Sequence, residues 1–198
     1  MKILTMMPWG DWLALVSFFS LWVGYAWFAR VRGQRDQSLI ATTNAYRVKW
    51  MLQTTARDPR MLDGLITQNL SHTPSFFSST TIIIIGGLFA LLGTTDKAAE
   101  LVREIPFAHP TPMLVFEFKV LVLVGIFVYA FFRFSWSMRQ YTFVALVIGA
   151  MPPPETFDEG LQDRQQVAER AGRLVGAAAE TFNDGLRAYY FSFAAMAW

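Results

Sequence analysis

The chain has 198 residues, of which 54% are apolar and only 16% are charged, against roughly 25% charged residues in an average soluble domain. The apolar residues lie in long uncharged blocks, which indicates a membrane protein. The chain contains no cysteine, which excludes disulfides and thiolate metal sites. Its two histidines are far apart in the sequence, and its net charge of +2 is too small to favour nucleic-acid binding.

The first apolar block covers residues 12–29 and contains no charge. At about 1.5 Å per residue, a helix of this length spans about 27 Å, close to the hydrocarbon thickness of a bilayer. Trp9 precedes the block and Trp27 lies near its other end, as is typical of indole rings at the membrane boundary. Arginines follow the block, whereas a cleavable signal peptide carries positive charge in front of its apolar core. We therefore expect a retained membrane helix.

The second block covers residues 75–92 and contains four consecutive isoleucines. Such a run would suit a buried strand. A single strand in lipid leaves its backbone groups unpaired, however, whereas a helix pairs them internally, so we predict a second spanning helix. Small residues on one side of it would let a neighbouring helix approach closely, and we predict helix packing there in preference to a ligand pocket. These residues are Ser75, Ser79, Gly86 and Gly87.

A third span is predicted over residues 113–134, leaving the membrane near Arg133. The apolar stretch 141–151 is too short to cross a bilayer and stops at three prolines, so we expect an interfacial or re-entrant segment there. The last apolar run, over residues 186–198, amounts to half a span. Either the chain ends in a short anchor, or the remainder of a fourth span lies beyond Trp198, and we favour the second alternative.

Lysine and arginine are distributed unevenly along the chain. Residues 30–74 carry seven and residues 133–187 carry six of the 17. The positive-inside rule therefore predicts that the loops 30–74 and 135–185 are cytoplasmic and that the N-terminus lies outside. The predicted location is the bacterial inner membrane.

Both long loops contain helical patterns. In the first loop, residues 38–56 predict one helix, and Asp58 is expected to cap a second, short helix from Pro59 to about residue 70. In the second loop, residues 162–180 predict a helix with a stripe of small apolar side chains. The predicted fold is therefore all-α, a polytopic helical membrane protein with three full spans, a partial or truncated fourth span and amphipathic helices in two cytoplasmic loops. One domain covers residues 1–198.

A dense cluster of mixed charge lies in the first loop and consists of Arg57, Asp58, Arg60 and Asp63. Arg60 and Asp63 are three residues apart and are expected to pair on one helix surface. We interpret the cluster as a structural charge network. The alternative is a site for an anionic lipid headgroup or a small anion, because arginine geometry suits phosphate and carboxylate groups.

An aromatic-rich segment at the end of the third span contains Arg133, Trp136 and Arg139. Arg133 either extends to lipid headgroups within an aromatic belt, or it is buried and contacts Asp63, Asp58 or a ligand. These three residues, with Arg57, Arg60 and Asp63, are the candidate ligand- or headgroup-binding residues. No catalytic residue, metal site or cofactor is predicted.

Several short motifs occur along the chain in an order that is typical of one protein family. They are Tyr46 with Trp50-Met51, Arg57-Asp58 with Arg60 and Asp63, Asn69-Leu70, Ser75-Phe76-Phe77 with Ser79-Thr80-Thr81, residues 127–141, and Phe182-Asn183 with the segment from Gly185 to Phe191. In this combination the chain resembles the uncharacterised membrane-protein family called domain of unknown function 599, over nearly its whole length from the first helix onward. The resemblance implies a multi-pass membrane protein with a final spanning helix, and it implies no activity.

These features favour a non-enzymatic membrane protein that acts by assembling, with itself or as an accessory subunit of a larger complex. The alternative is a homo-oligomeric channel or small-solute transporter, whose polar groups would be Arg133, Glu117 and the hydroxyls of residues 75–81. A lipid-modifying enzyme ranks last, because no nucleophile with an activating base can be named. The expected partners are the lipid bilayer, further copies or a membrane complex, and anionic headgroups.

Overall fold

A computed structural model of the chain describes residues 8–33, 38–94, 112–160 and 162–196. All regular secondary structure in these ranges is helical. The helices are α1 (Trp9–Gly33), α2 (Leu39–Thr54), α3 (Met61–Gly93), α4 (Met113–Gly149), α5 (Pro154–Asp158) and α6 (Arg164–Met196). By length and composition, α1, α3 and α4 can each cross a membrane. The predicted class, an all-α polytopic membrane protein, is thereby confirmed.

The longest helix, α4, lies at the centre of the bundle, with α3 packed along one side and α6 along another. The helix α2 lies against α6, while α1 contacts α6 and α2. The buried apolar side chains form two clusters at different levels of α4 and α6. One contains Met51, Val144 and Val175, and the other contains Phe134 and Ala188.

The helix α3 is longer than either helix predicted for its region. The predicted short helix from Pro59 and the predicted span 75–92 are parts of one continuous helix, which contains Pro74 in its interior. Arg60, not Asp58, is the residue before its first turn, and it makes no side-chain capping bond. A proline removes only one backbone donor, which packed membrane helices tolerate, and Pro74 is fully buried.

The helix α4 also continues through the predicted end of its span. Residues 141–149 are part of this same helix, so residues 141–151 do not form the separate interfacial or re-entrant segment that was expected there. Nothing between Arg133 and Gly149 breaks a helix, because this stretch contains neither glycine nor proline in its interior. The helix ends at Gly149, and only Ala150 and Met151 separate it from the three prolines that begin at Pro152.

The helix α6 joins the predicted loop helix 162–180 to the predicted final run that starts at residue 186. Gly185, between the two, lies inside the helix and packs closely against α4, because a Cβ there would be 2.5 Å from Cε1 of Phe134.

The helix predicted over residues 38–56 is confirmed as α2. The Ser38 hydroxyl accepts a hydrogen bond from the Ala41 amide at 2.9 Å and so caps its first turn.

Candidate functional site

Asp63 lies in the first turn of α3 and is completely buried. Its Oδ1 accepts hydrogen bonds from Trp50 Nε1 at 2.7 Å, from Thr54 Oγ1 at 2.9 Å and from Arg57 Nη1 at 2.6 Å. We call these four residues the Asp63 cluster. Because Trp50 and Thr54 belong to the last turns of α2, the cluster fixes the end of α2 against the start of α3. Among the described residues, Asp63 Oδ2 has no hydrogen-bond partner.

Arg60 does not pair with Asp63, contrary to the prediction from their spacing. Its Nη1 donates to the Met151 carbonyl at 2.8 Å, its Nη2 to the Pro152 carbonyl at 2.5 Å and its Nε to the Thr54 carbonyl at 3.1 Å. The spacing rule fails because Arg60 precedes the helix, so the two side chains do not share a helical surface. Its planar guanidinium instead binds carbonyls beyond the end of α4, which have no partner within that helix.

A second buried carboxylate, Asp184 of α6, is shared by arginines from three helices. Its Oδ2 accepts hydrogen bonds from Arg30 Nη2 of α1 at 2.8 Å and from Arg133 Nη2 of α4. Its Oδ1 accepts one from Arg187 Nη1, three residues further along α6. We call these four residues the Asp184 cluster. The Asp184 side chain is 4% exposed, that of Arg187 10%, that of Arg133 29% and that of Arg30 53%.

Of the alternatives for Arg133, contact with Asp63 or Asp58 is not the one formed, because its carboxylate partner is Asp184. The sequence contains a pattern from which Asp184 could have been predicted as a buried residue. The small apolar stripe predicted on the second-loop helix, continued by steps of three and four residues, passes through Thr181 and Asp184 to Ala188, and all three are buried. An acid on the buried side of a helix requires a cation nearby. The prediction missed it because the helix was ended at residue 180.

Hydroxyl groups and aromatic rings fill the space between α3, α4 and α6. Ser78 and Ser135 share a hydrogen bond of 2.9 Å, and Thr81 and Tyr189 share one of 2.6 Å. The Tyr189 ring packs edge-to-face with its neighbours at centroid distances of 5.3–5.7 Å. Those neighbours are Phe77, Phe127 and Phe134. The two hydroxyls of α3 therefore serve contacts between helices.

The two other predicted residues of α4, Trp136 and Arg139, lie on its outer surface. Trp136 is half exposed, and the Arg139 guanidinium lies 5.5 Å from the centroid of the Phe143 ring. With Arg133 they line a shallow cavity of about 500 Å³. The six predicted binding residues thus separate into four settings. Arg57 and Asp63 belong to the Asp63 cluster, Arg60 binds backbone carbonyls, Arg133 belongs to the Asp184 cluster, and the other two lie on the surface of α4.

A family model described as protein of unknown function, DUF599, matches residues 13–198, which is nearly the whole chain. The chain belongs to the DUF599 family. No curated protein and no solved structure matches it. Both charge clusters of this DUF599 protein, and the whole of α3, α4 and α6, fall within the matched residues.

Most of the predicted packing residues of α3 lie on its outer surface in the described part of this DUF599 protein. Ser75 is half-buried, whereas Ser79, Gly86 and Gly87 are exposed. A Cβ added at Gly86 or Gly87 would have no atom within 4 Å. The residues that face the bundle are Pro74, Ser78 and Thr81. Packing within the described chain therefore uses the side of α3 next to Ser75 and not the side of the two glycines. In the described part of the chain, no three His, Asp or Glu residues are grouped to hold a metal ion.

Proposed function

We propose that this DUF599 protein is a non-catalytic membrane protein that acts by assembling with copies of itself, or as an accessory subunit of a larger membrane complex. The observation that carries the proposal is the outward side of α3. Gly86 and Gly87 lie next to each other on this side, one turn after the exposed Ile82 and Ile83, and nothing in the described chain covers the two glycines. In lipid, small residues allow two helix backbones to come into close van der Waals contact, which is a main driving force for helix association.

The bonding of the polar groups supports a structural role for the interior. Asp63 and Asp184 bind side chains from neighbouring segments, and Arg60 binds three backbone carbonyls. A homo-oligomeric channel or transporter is less well supported. Of the polar groups that would line its path, Ser78 and Thr81 are bonded to other helices, and Arg133 is bonded to Asp184.

The same proposal places the protein in the bacterial inner membrane with its N-terminus outside. Arg30 follows the apolar part of α1, Arg133 follows that of α4, and Arg187 lies on α6. Because all three bind Asp184, the arginine-rich parts of these helices lie at the same level of the bundle. The positive-inside rule then favours the cytoplasm for this end.

The assembly proposal is tested by the mass of the full-length protein extracted with its surrounding lipid by a polymer, without detergent. Native mass spectrometry is expected to show multimers of the chain, or the chain with other subunits. Leucines at both glycines, Gly86→Leu with Gly87→Leu, should convert the multimers to monomers, because the added side chains separate the helices. Gly125→Leu is the matched control, since Gly125 is also exposed with nothing within 4 Å of its Cβ position but lies on α4.

Two results would contradict assembly through α3. One is a wild-type protein that is monomeric in its native lipid at every expression level. The other is a double-leucine variant that assembles as the wild type does. Loss of assembly in Gly125→Leu as well would show that any bulky residue on the lipid-facing surface disrupts the multimer, which would remove α3 as the specific contact.

A further inference from the structure

We propose that the cavity between α1, α4 and α6 binds one acyl chain of an anionic lipid, with the lipid headgroup on Arg30 and Arg187. The cavity has a volume of about 470 Å³, which lies in the range of natural ligand pockets. Its walls are apolar side chains of α1, and its polar end is formed by Arg30, Arg187 and Asp184. This combination of one charged end and an apolar remainder matches an amphiphile.

The net charge at the polar end determines the sign of the charge that the ligand must carry. Three guanidiniums, those of Arg30, Arg133 and Arg187, surround the single carboxylate of Asp184, which leaves a formal excess of two positive charges. Glu180, one turn earlier on α6, also interacts electrostatically with Arg30. Counting both carboxylates, the excess is still one positive charge. A phosphate or carboxylate headgroup would neutralise it, and basic pockets between spanning helices at the cytoplasmic side are known to bind anionic headgroups.

The arginines keep hydrogen-bond donors for such a headgroup. A guanidinium carries five N–H donors, and Arg30 and Arg187 each give Asp184 only one nitrogen. The Arg30 side chain is 53% exposed, so its remaining donors are accessible from the cavity. Asp184 meanwhile holds the guanidiniums in place, which lowers the entropic cost of ordering them around a ligand.

The length of the cavity corresponds to one leaflet of a bilayer. Along α1 it extends from Arg30 back to Phe19, a separation of eleven positions or about 16 Å of helix. Half of a hydrocarbon core of roughly 30 Å is about 15 Å. A chain lying beside Trp22, Val23 and Ala26 would therefore run from the headgroup level to the middle of the membrane. The Trp22 wall is held by its stacking on Phe191 at 5.7 Å and by an edge contact with Tyr129 at 5.7 Å.

The proposal is tested with the full chain reconstituted into phosphatidylcholine nanodiscs that contain a small fraction of phosphatidylglycerol. Native mass spectrometry measures how much of each lipid stays bound after the disc is removed. We expect phosphatidylglycerol to be retained over phosphatidylcholine. Arg30→Gln should weaken its retention about fivefold, as expected for one arginine near the headgroup. Arg32→Gln is the matched control, because Arg32 is exposed, lies over Phe28 and does not line the cavity.

A second pair of variants tests the acyl-chain part of the site without changing charge. Ala26→Phe fills the cavity and should abolish selective retention, whereas Gly24→Phe adds the same ring where nothing lies within 4 Å of the Cβ position and should leave retention unchanged. This pair of variants also tests whether the cavity binds lipid if the Arg30→Gln protein does not fold. Equal retention of both lipids by the wild type would overturn the proposal. So would displacement of phosphatidylglycerol by inorganic phosphate combined with no effect of Ala26→Phe, since the site would then bind a free anion.

Discussion

At the scale of single residues, the most consequential feature is that three arginines share the carboxylate of Asp184. One carboxylate is shared by guanidiniums of α1, α4 and α6, and it is more deeply buried than any of them. Its negative charge compensates the arginines, and its two oxygens bind all three by hydrogen bonds that are charge-assisted and therefore strong. The carboxylate thus holds three helices together at one point.

Asp184→Asn is expected to destabilise the protein strongly. The asparagine keeps the shape of the side chain but removes the negative charge, which leaves the three guanidiniums to repel one another in a partly buried site. Removal of one partner from a fully buried pair costs about 3–5 kcal/mol. Because Arg30 is about half exposed and screened by solvent, we expect a loss of about 2–4 kcal/mol in the free energy of unfolding, measured by titration with dodecyl sulfate in mixed micelles.

Asp158→Asn is the control for this prediction. Asp158 also binds an arginine, Arg164, at 2.5 Å, but its side chain is 72% exposed. Exposed ion pairs contribute about 1 kcal/mol or less. If the two variants lose the same free energy of unfolding, Asp184 does not hold the helices together as described.

At the scale of elements, the sequence predicts where helices form better than where they end. Each of the three predicted full spans lies within an observed helix, because uncharged length determines a span directly. The predicted partial span 186–198 lies in α6 as far as Met196, and its last two residues lie outside the described residues. Three boundaries were predicted where no break occurs: near Pro74, near Arg133 and between residues 180 and 186. In each case a proline, a charge or a polar segment resembles the end of a helix locally. Contacts with other helices keep the helix continuous, and these contacts cannot be read from the segment alone.

In the candidate sites, too, the contacts between distant segments could not be predicted from local sequence. The sequence identified Arg57 and Asp63 as members of one charge cluster, because charges beside apolar segments are easy to recognise. For Arg133 it left open a contact with headgroups or with Asp63, Asp58 or a ligand, without naming Asp184, and it did not include Arg30, which is 154 residues from its partner Asp184. A pairing over that distance follows from how α1 lies on α6, not from any local spacing.

The contact between α2 and α6 gives a prediction for a single methyl group. A Cβ at Gly172 would lie 2.7 Å from Val48 Cγ2 and 2.9 Å from Val48 Cα. Side-chain rotation can move the first atom but not the second, so α6 would have to shift away from α2. Gly172→Ala should therefore lower the free energy of unfolding by about 1–3 kcal/mol, although alanine is otherwise the better helix former.

Gly125→Ala is expected to have the opposite sign. Gly125 lies inside α4, and a Cβ there would meet nothing within 4 Å. The substitution therefore changes stability only through the intrinsic helix propensity, which is higher for alanine than for glycine by roughly 0.5–1 kcal/mol. Both variants are compared by the same unfolding titration. A Gly172→Ala protein as stable as Gly125→Ala would show that α2 and α6 are farther apart than described.

At the scale of the whole molecule, the arrangement of charges leads to a test of membrane orientation. The two charge clusters, the carbonyls bound by Arg60 and the arginine-rich ends of α1 and α4 belong to segments predicted to be cytoplasmic. The start of α1 and the end of α3 are predicted to lie on the opposite side. Since the chain has no cysteine, a single introduced cysteine reports its own side of the membrane without any background.

We expect Gly10→Cys and Thr94→Cys to react with a membrane-impermeant maleimide in spheroplasts, and Gln53→Cys and Glu155→Cys to react only after the membrane is permeabilised. All four positions are exposed, so differences in labelling reflect the side of the membrane and not burial within the protein. Permeabilised samples serve as the control for reactivity. Labelling of Gln53→Cys and Glu155→Cys in intact spheroplasts would reverse the orientation, because the arginine-rich end would then lie outside, against the positive-inside rule. Labelling of all four would contradict a single orientation, and the proposed lipid headgroup site would then occur in both leaflets.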